Sequence, residues 1–99
     1  MAWSEWKKFG AGLENFTWQS GVNSFTATIG KQYYVIISAF YADYEPTLSG
    51  CTIDEKITEL KYSSTGRLSV YKVTSTSTQI IEKHNNNSNQ HVALGYMEI

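Results

Sequence analysis

Two histidines, His84 and His91, flank the asparagine-rich segment 85–90. Imidazole nitrogens are common transition-metal ligands, so the pair can bind a metal if the rings meet across the neck of this loop. The alternative is two separate, solvent-exposed loop histidines. Cys51 is the single cysteine, which leaves no thiolate set for zinc and no intrachain disulfide. We therefore expect no bound metal and no cofactor, with Cys51 a small buried residue at the start of a strand.

Four carboxylates are the second candidate for chemistry. Asp43 and Glu45 lie in one predicted loop, and Asp54 and Glu55 lie in another. Carboxylate oxygens from two loops can hold Ca²⁺, although no EF-hand spacing is present. Glycosidases also use carboxylate pairs, but nothing in the sequence fixes the separation of any pair here. The alternative is ordinary solvated loop charges.

Signature motifs of catalysis are absent from the sequence. It contains no GxSxG, HExxH, P-loop or GxGxxG pattern. Catalysis requires a base, a nucleophile or a metal within reach of each other, and the spacing of residues indicates no such set. We therefore predict that the protein is not an enzyme.

Aromatic residues are the one compositional surplus, at 14% of the chain. Aromatic faces stack on sugar rings and anchor protein interfaces, because they bury a large area at low entropy cost. Packing in a core is the competing use of such residues. We predict that Trp3, Trp6 and Tyr44 form a binding surface.

Composition limits the class of protein. The 99 residues suit one domain, residues 1–99. Charged residues make up only 17%, and Ser, Thr, Asn and Gln take their place, which favours exposed strand faces and polar loops over helices. The net charge is −1 and no basic block occurs, so nucleic acid is not an expected partner. No segment resembles a signal peptide or a membrane span.

Alternating apolar residues indicate strands along most of the chain. Phe16 and Trp18 share one face, and Phe25, Ala27 and Ile29 share another before a turn at residues 30–31. The segment "QYYVIISAFYADY" is apolar on both faces, so we predict a strand that is covered on both sides. In a chain this short, a second subunit can supply one of the covers.

Residues 51–62 fit two patterns. Alternation over 58–62 indicates a strand, whereas Ile53, Ile57 and Leu60 have the spacing of a helical turn. We favour strands, because residues 63–66 then form a hairpin turn into the next strand.

The last apolar stretch, "HVALGYMEI", predicts a structural strand. Val92, Leu94 and Tyr96 share one face, and Gly95 suits close approach of a neighbouring strand or ring. Seven or eight such short strands, separated by turn signals, predict an all-β protein, an antiparallel β-sandwich or jelly roll.

Two short segments resemble known classes of protein. The opening "AWSEWKKFG" resembles small structural proteins encoded by phages and prophages, and "HVALGYMEI" is similar to the last strand of TNF- and C1q-like jelly rolls. These resemblances imply a non-enzymatic phage or prophage structural or tail-accessory protein, with a trimer as the typical assembly of the second class. The protein would be made in the bacterial cytoplasm without a signal peptide and incorporated into a virion.

The expected partners follow from these properties. We predict a homo-oligomer, a dimer or a trimer, with other phage tail proteins or a cell-surface glycan as further partners, and neither nucleic acid nor a membrane. The alternative function is a carbohydrate-binding module that uses the surface aromatic cluster.

Overall fold

The computed structural model describes residues 15–42, 44–84 and 91–99, and within these ranges it contains strands and no α-helix. The predicted all-β class is therefore confirmed. Trp3, Trp6, Asp43 and the asparagine-rich segment 85–90 lie outside the described residues. The eight strands are β1 (Thr17–Ser20), β2 (Ser24–Thr26), β3 (Gln32–Phe40), β4 (Thr47–Ser49), β5 (Cys51–Lys61), β6 (Gly66–Ser75), β7 (Gln79–Lys83) and β8 (Val92–Glu98).

The strands form two antiparallel sheets, β1-β8-β3-β6-β5 and β2-β7-β4. The first pairs with the eighth, the second with the seventh and the third with the sixth, as in one long hairpin that has been rolled up. This nested pairing is the jelly-roll arrangement, which was one of the two predicted folds. The departure from it is β5, which pairs with β6 at the edge of the larger sheet instead of joining β4.

The chain passes from the smaller to the larger sheet at Gly50. This residue has a φ of 81°, and a Cβ there would clash with the carbonyl of Gln79. Glycine is therefore required at this step, because it adopts positive φ without steric cost and leaves room for close backbone.

The main core lies between the two sheets. Alternate residues of β3, from Tyr33 to Ala39, point into it and are almost completely buried. Their neighbours in the core are Phe25, Ala27, Ala42, Tyr71, Val73, Ile80, Val92 and Leu94. This strict alternation places the remaining residues of β3 on the outer face of the larger sheet.

That outer face carries a second, smaller core. Phe16, Ile36 and Val70 are buried there, with Tyr34 and Met97 packed against them. The predicted cover on both faces of β3 is therefore present around Ile36, whereas Phe40 at the end of the strand is 49% exposed on the outer face. Ile36 is only 5% exposed within one chain, so at this position the cover comes from the chain itself and no second subunit is needed.

Two details differ from the sequence-based expectations. Phe25 and Ala27 are buried as predicted, but Ile29 is 61% exposed, because β2 ends at Thr26 and the chain then turns. Cys51 begins β5 as predicted, yet it is half-buried rather than buried, and burial is the main cause of its raised thiol pKa.

The prediction that residues 51–61 form a strand is confirmed, and β5 joins β6 through the expected hairpin. β5 is an edge strand, exposed over most of its length. Its register shifts twice, between Ile53 and Glu55 and between Lys56 and Thr58. Bulges and charged side chains on an edge oppose strand addition by another chain. Assembly through this edge is therefore disfavoured.

The position of β8 makes its last residues structural. It lies between β1 and β3, so deleting residues 95–99 removes ladder hydrogen bonds on both sides. The deletion also removes Tyr96 and Met97, and burying such side chains is worth roughly 1.5–3 kcal/mol each. A small domain has about 5–15 kcal/mol in total. We expect the truncated chain to be unfolded or insoluble, as measured by circular dichroism and thermal melting.

Ile99→Ser is the matched control, because this side chain is 54% exposed and its amide still donates to the carbonyl of Gln32. It should melt close to the intact protein. A truncated chain that melts within a few degrees of the intact protein would make the end of β8 peripheral.

Candidate functional site

A strip of small side chains crosses three strands on the outer face of the larger sheet. Ser20 of β1 pairs with Ala93 of β8, and Ala93 pairs in turn with Ser38 of β3. Ala93 and Ser38 point away from the main core, because their neighbours along each strand point into it, and Ser20 shares their face because it pairs with Ala93. The strip is therefore a shallow floor in a surface that is otherwise covered by larger side chains.

On one side of the floor lies Trp18, two residues along β1 from Ser20. It pairs with Gly95, and an ideal Cβ at Gly95 would lie only 2.7 Å from Cζ3 of Trp18. The indole ring thus occupies the space that a side chain at Gly95 would take. The prediction that Gly95 accepts a neighbouring ring is confirmed, and 49% of the Trp18 side chain stays exposed.

A second aromatic group lies on the other side of the floor. Phe40 pairs with Gly66, and the amide of Tyr62 donates to the carbonyl of Gly66 at 3.1 Å. A Cβ at Gly66 would overlap the Tyr62 ring, so this ring also lies over a glycine. The rings of Phe40 and Tyr62 meet edge to face with centroids 5.8 Å apart. The Tyr62 hydroxyl lies 3.4 Å from Oγ of Ser38.

Between the two aromatic groups the surface forms an open cleft of about 360 Å³. Its mouth is bounded by Phe40 and by His91, whose carbonyl accepts a 2.8 Å hydrogen bond from the Phe40 amide. His91 has a φ of 56°. Its ring packs edge to face with the Tyr41 ring, and the two ring centroids lie 4.9 Å apart. The lining residues are Ser20, Gly21, Ser38, Phe40, His91, Val92 and Ala93.

The chemistry of the cleft is neutral. Among the described residues that line it, none is a carboxylate, lysine or arginine, and their polar side-chain groups are two hydroxyls and one imidazole. Hydroxyls can donate and accept hydrogen bonds, and the exposed ring of Phe40 offers an apolar surface beside them. The arrangement suits a ligand with both polar groups and a flat apolar face.

Glu45 and Asp54, two of the candidate carboxylates, lie outside the cleft lining and have protein partners. Lys56 Nζ lies 2.7 Å from Oε1 of Glu45 and 3.3 Å from Oε2 of Glu59. The hydrogen bond from Lys56 is the main cause of the lowered pKa of Glu45. Asp54 accepts hydrogen bonds from Thr74 and Gln32. Glu45 and Asp54, two of the four carboxylates considered as Ca²⁺ ligands, are thus held by different partners.

His84 and His91 have unlike surroundings. His84 is completely buried, and its Nδ1 lies 2.8 Å from Oε2 of Glu82, which is also completely buried. His91 is exposed at the cleft. Within residues 15–42, 44–84 and 91–99, no three His, Cys, Asp or Glu side chains gather as a metal site would require. The described residues therefore do not form a metal site from His84 and His91, the alternative that the sequence left open.

The predicted aromatic surface can be placed only in part. Tyr44 lies in the loop between β3 and β4 and is 38% exposed, whereas Trp3 and Trp6 fall outside the described residues. Of the other aromatic residues, Phe40 lines the cleft, Tyr62 and Tyr41 contact its lining residues Phe40 and His91, and Trp18 lies two residues from Ser20 on β1. One signal in the sequence is Ser38, a small outward-facing residue two positions before Phe40 in "ISAF". The residues that lie beside Ser38, however, depend on the register between strands.

Comparison of the chain with protein families, with curated proteins and with solved structures found no match. In the part of the chain that the structure describes, no helix has the length and apolar character needed to cross a membrane.

The buried Glu82–His84 pair makes folding stability depend on pH. Burial raises the pKa of the Glu82 carboxyl, and the attraction of His84 offsets this in part. The folded state therefore binds the Glu82 proton more tightly than the unfolded chain does. The stabilisation from this proton is complete below the unfolded pKa of about 4.3 and is lost as pH rises through the higher folded pKa.

We expect Glu82→Gln to remove this contribution. Urea unfolding between pH 4 and pH 8 should show that the intact protein loses stability relative to the variant as pH rises. The difference should change by at most about 1.4 kcal/mol per pH unit, the limit for one titrating group. Glu55→Gln, which alters an exposed residue of β5, is the control. Parallel pH profiles for the intact protein and Glu82→Gln would contradict the assignment.

Proposed function

We propose that the protein is a non-enzymatic phage or prophage structural or tail-accessory protein that acts through protein–protein assembly. The observation that carries the assembly role is the set of exposed aromatic residues on either side of the small-residue floor of the larger sheet. Between 42% and 58% of the side chains of Trp18, Phe40, Tyr41 and Tyr62 is accessible in the single chain. Exposed apolar surface of this kind usually marks an interface, and aromatic residues dominate interface energetics.

The rings are held in place before any partner binds. The Trp18 ring packs over Gly95 and the Tyr62 ring packs over Gly66, where no side chain stands in the way. Phe40 packs in turn against Tyr62. Side chains that are already ordered lose little conformational entropy on association, so more of their burial appears as affinity. The bulges and charged side chains of β5 disfavour strand addition at that edge of the larger sheet.

The phage or prophage context is supported by the resemblance of the opening segment and by the jelly-roll topology, which viral capsid proteins also use. Fold alone does not define function. Self-association into a closed dimer or trimer is the simplest assembly for such a domain. The partner can equally be another tail protein that presents a complementary apolar surface.

Sedimentation velocity at tens of micromolar tests the assembly role. We expect a mass above that of the monomer, and we expect the double variant Phe40→Ala, Tyr62→Ala to weaken association by roughly tenfold or more, as loss of central interface aromatics does. Ile81→Ala is the matched control, because Ile81 is 39% exposed on the smaller sheet. A monomeric intact protein, or equal dissociation by the control, would contradict self-association through this face.

A carbohydrate-binding module is the second candidate function, and the cleft favours it. An aromatic rim beside hydroxyl groups on a small-residue floor is the kind of surface on which a sugar ring can stack and form hydrogen bonds. A glycan array discriminates this candidate from pure assembly. Specific retention of one glycan class supports carbohydrate binding, and an array without any signal counts against it.

A further inference from the structure

We infer that the outer-face cleft binds a neutral pyranose residue, a hexose or an N-acetylhexosamine, with its apolar face toward Phe40. This inference deepens the second candidate function and rests on it. The cleft has a volume of about 360 Å³, within the range of about 300–1,000 Å³ for small-molecule sites. It is open on one side, so the rest of a glycan chain can extend into solvent.

The floor allows a ring to approach the sheet closely. Ser20, Ala93 and Ser38 carry small side chains, and the backbone of Gly21 continues the floor at one end. Same-face positions along a strand are about 7 Å apart, twice the rise per residue. Measured along the strands, Trp18 and Phe40 therefore lie about two such steps apart, with the small-residue floor between them. This distance leaves room for one flat six-membered ring.

The rim supplies the apolar contact. Phe40 lines the cleft with 49% of its side chain exposed, and its orientation is fixed by Tyr62 on one side and by the backbone bond to His91 on the other. The C–H groups on one face of a pyranose form an apolar patch that an aromatic ring covers well. A fixed ring makes this contact with little loss of conformational freedom.

The polar groups suit sugar hydroxyls. Ser38 Oγ lies 3.4 Å from the Tyr62 hydroxyl, a long contact in which either group can be the donor. An incoming hydroxyl can bond to either group or to both from the solvent side, because each can both donate and accept. Ser20, at the end of β1, and His91, directly before β8, also line the cleft and can form further hydrogen bonds.

The charge of the lining selects a neutral ligand. In residues 15–42, 44–84 and 91–99, no carboxylate, lysine or arginine lines the cleft, whereas Lys56 and Arg67 lie within ion-pair distance of acidic side chains. An acidic sugar would therefore enter without a fixed cation to pair with, and burial of an unpaired charge is costly. Neutral sugars carry no such penalty.

Titration of the isotopically labelled protein, followed by two-dimensional NMR, tests the inference. The probes are the methyl glycosides of glucose, galactose, mannose and N-acetylglucosamine, with N-acetylneuraminic acid as the acidic comparison. We expect at least one neutral glycoside to shift the amide signals of residues that line the cleft. Phe40→Ala should weaken that binding by about fivefold or more, and Ser38→Ala should weaken it by roughly two- to tenfold, the value of one hydrogen bond.

Ile81→Ala on the smaller sheet is the control and should bind as the intact protein does. The variant spectra themselves report whether each chain remains folded. Shifts that map to residues outside the cleft, or binding of the acidic sugar alone, would overturn the inference while leaving carbohydrate binding in place. If neither these probes nor a glycan array detects binding, both the inference and the second candidate function are wrong.

Discussion

The structure depends on the placement of β8 between β1 and β3 in the larger sheet. This antiparallel pairing joins the end of the described chain to its beginning and closes the nested hairpin of the jelly roll. It also sets the register that brings Gly95 opposite Trp18 and Ala93 between Ser20 and Ser38. One strand thus contributes Val92 and Leu94 to the main core and the small residues of the cleft to the outer face.

The two faces of the larger sheet have different tasks as a result. The inner face is packed against the smaller sheet and stabilises the fold, with Val35, Ile37 and Leu94 fully buried. The outer face is buried only around Ile36 and Val70, and toward the end of β3 it becomes an exposed aromatic surface around a cleft. A rigid sheet holds these side chains in fixed positions, which suits recognition of a partner.

Much of the fold could be predicted from the sequence, because alternation reports which residues share a face. The two-sided burial of β3, the hairpin at residues 63–66 and the role of Gly95 all follow from local pattern. The site could not be predicted in the same way, because contacts such as Trp18 with Gly95 depend on the register between distant strands. The Glu82–His84 pair could have been predicted from spacing, because residues 80, 82 and 84 follow every second position and therefore point to the same side of the chain.

The central claim is that the aromatic end of the outer face is the working surface of this protein. The most direct test is to compare two-dimensional NMR spectra of dilute and concentrated protein, and of protein with and without the neutral methyl glycosides. We expect the changed signals to belong to residues around Trp18, Phe40, Tyr62 and His91. Changes confined to the outer side of the smaller sheet, around Ile81, would contradict it.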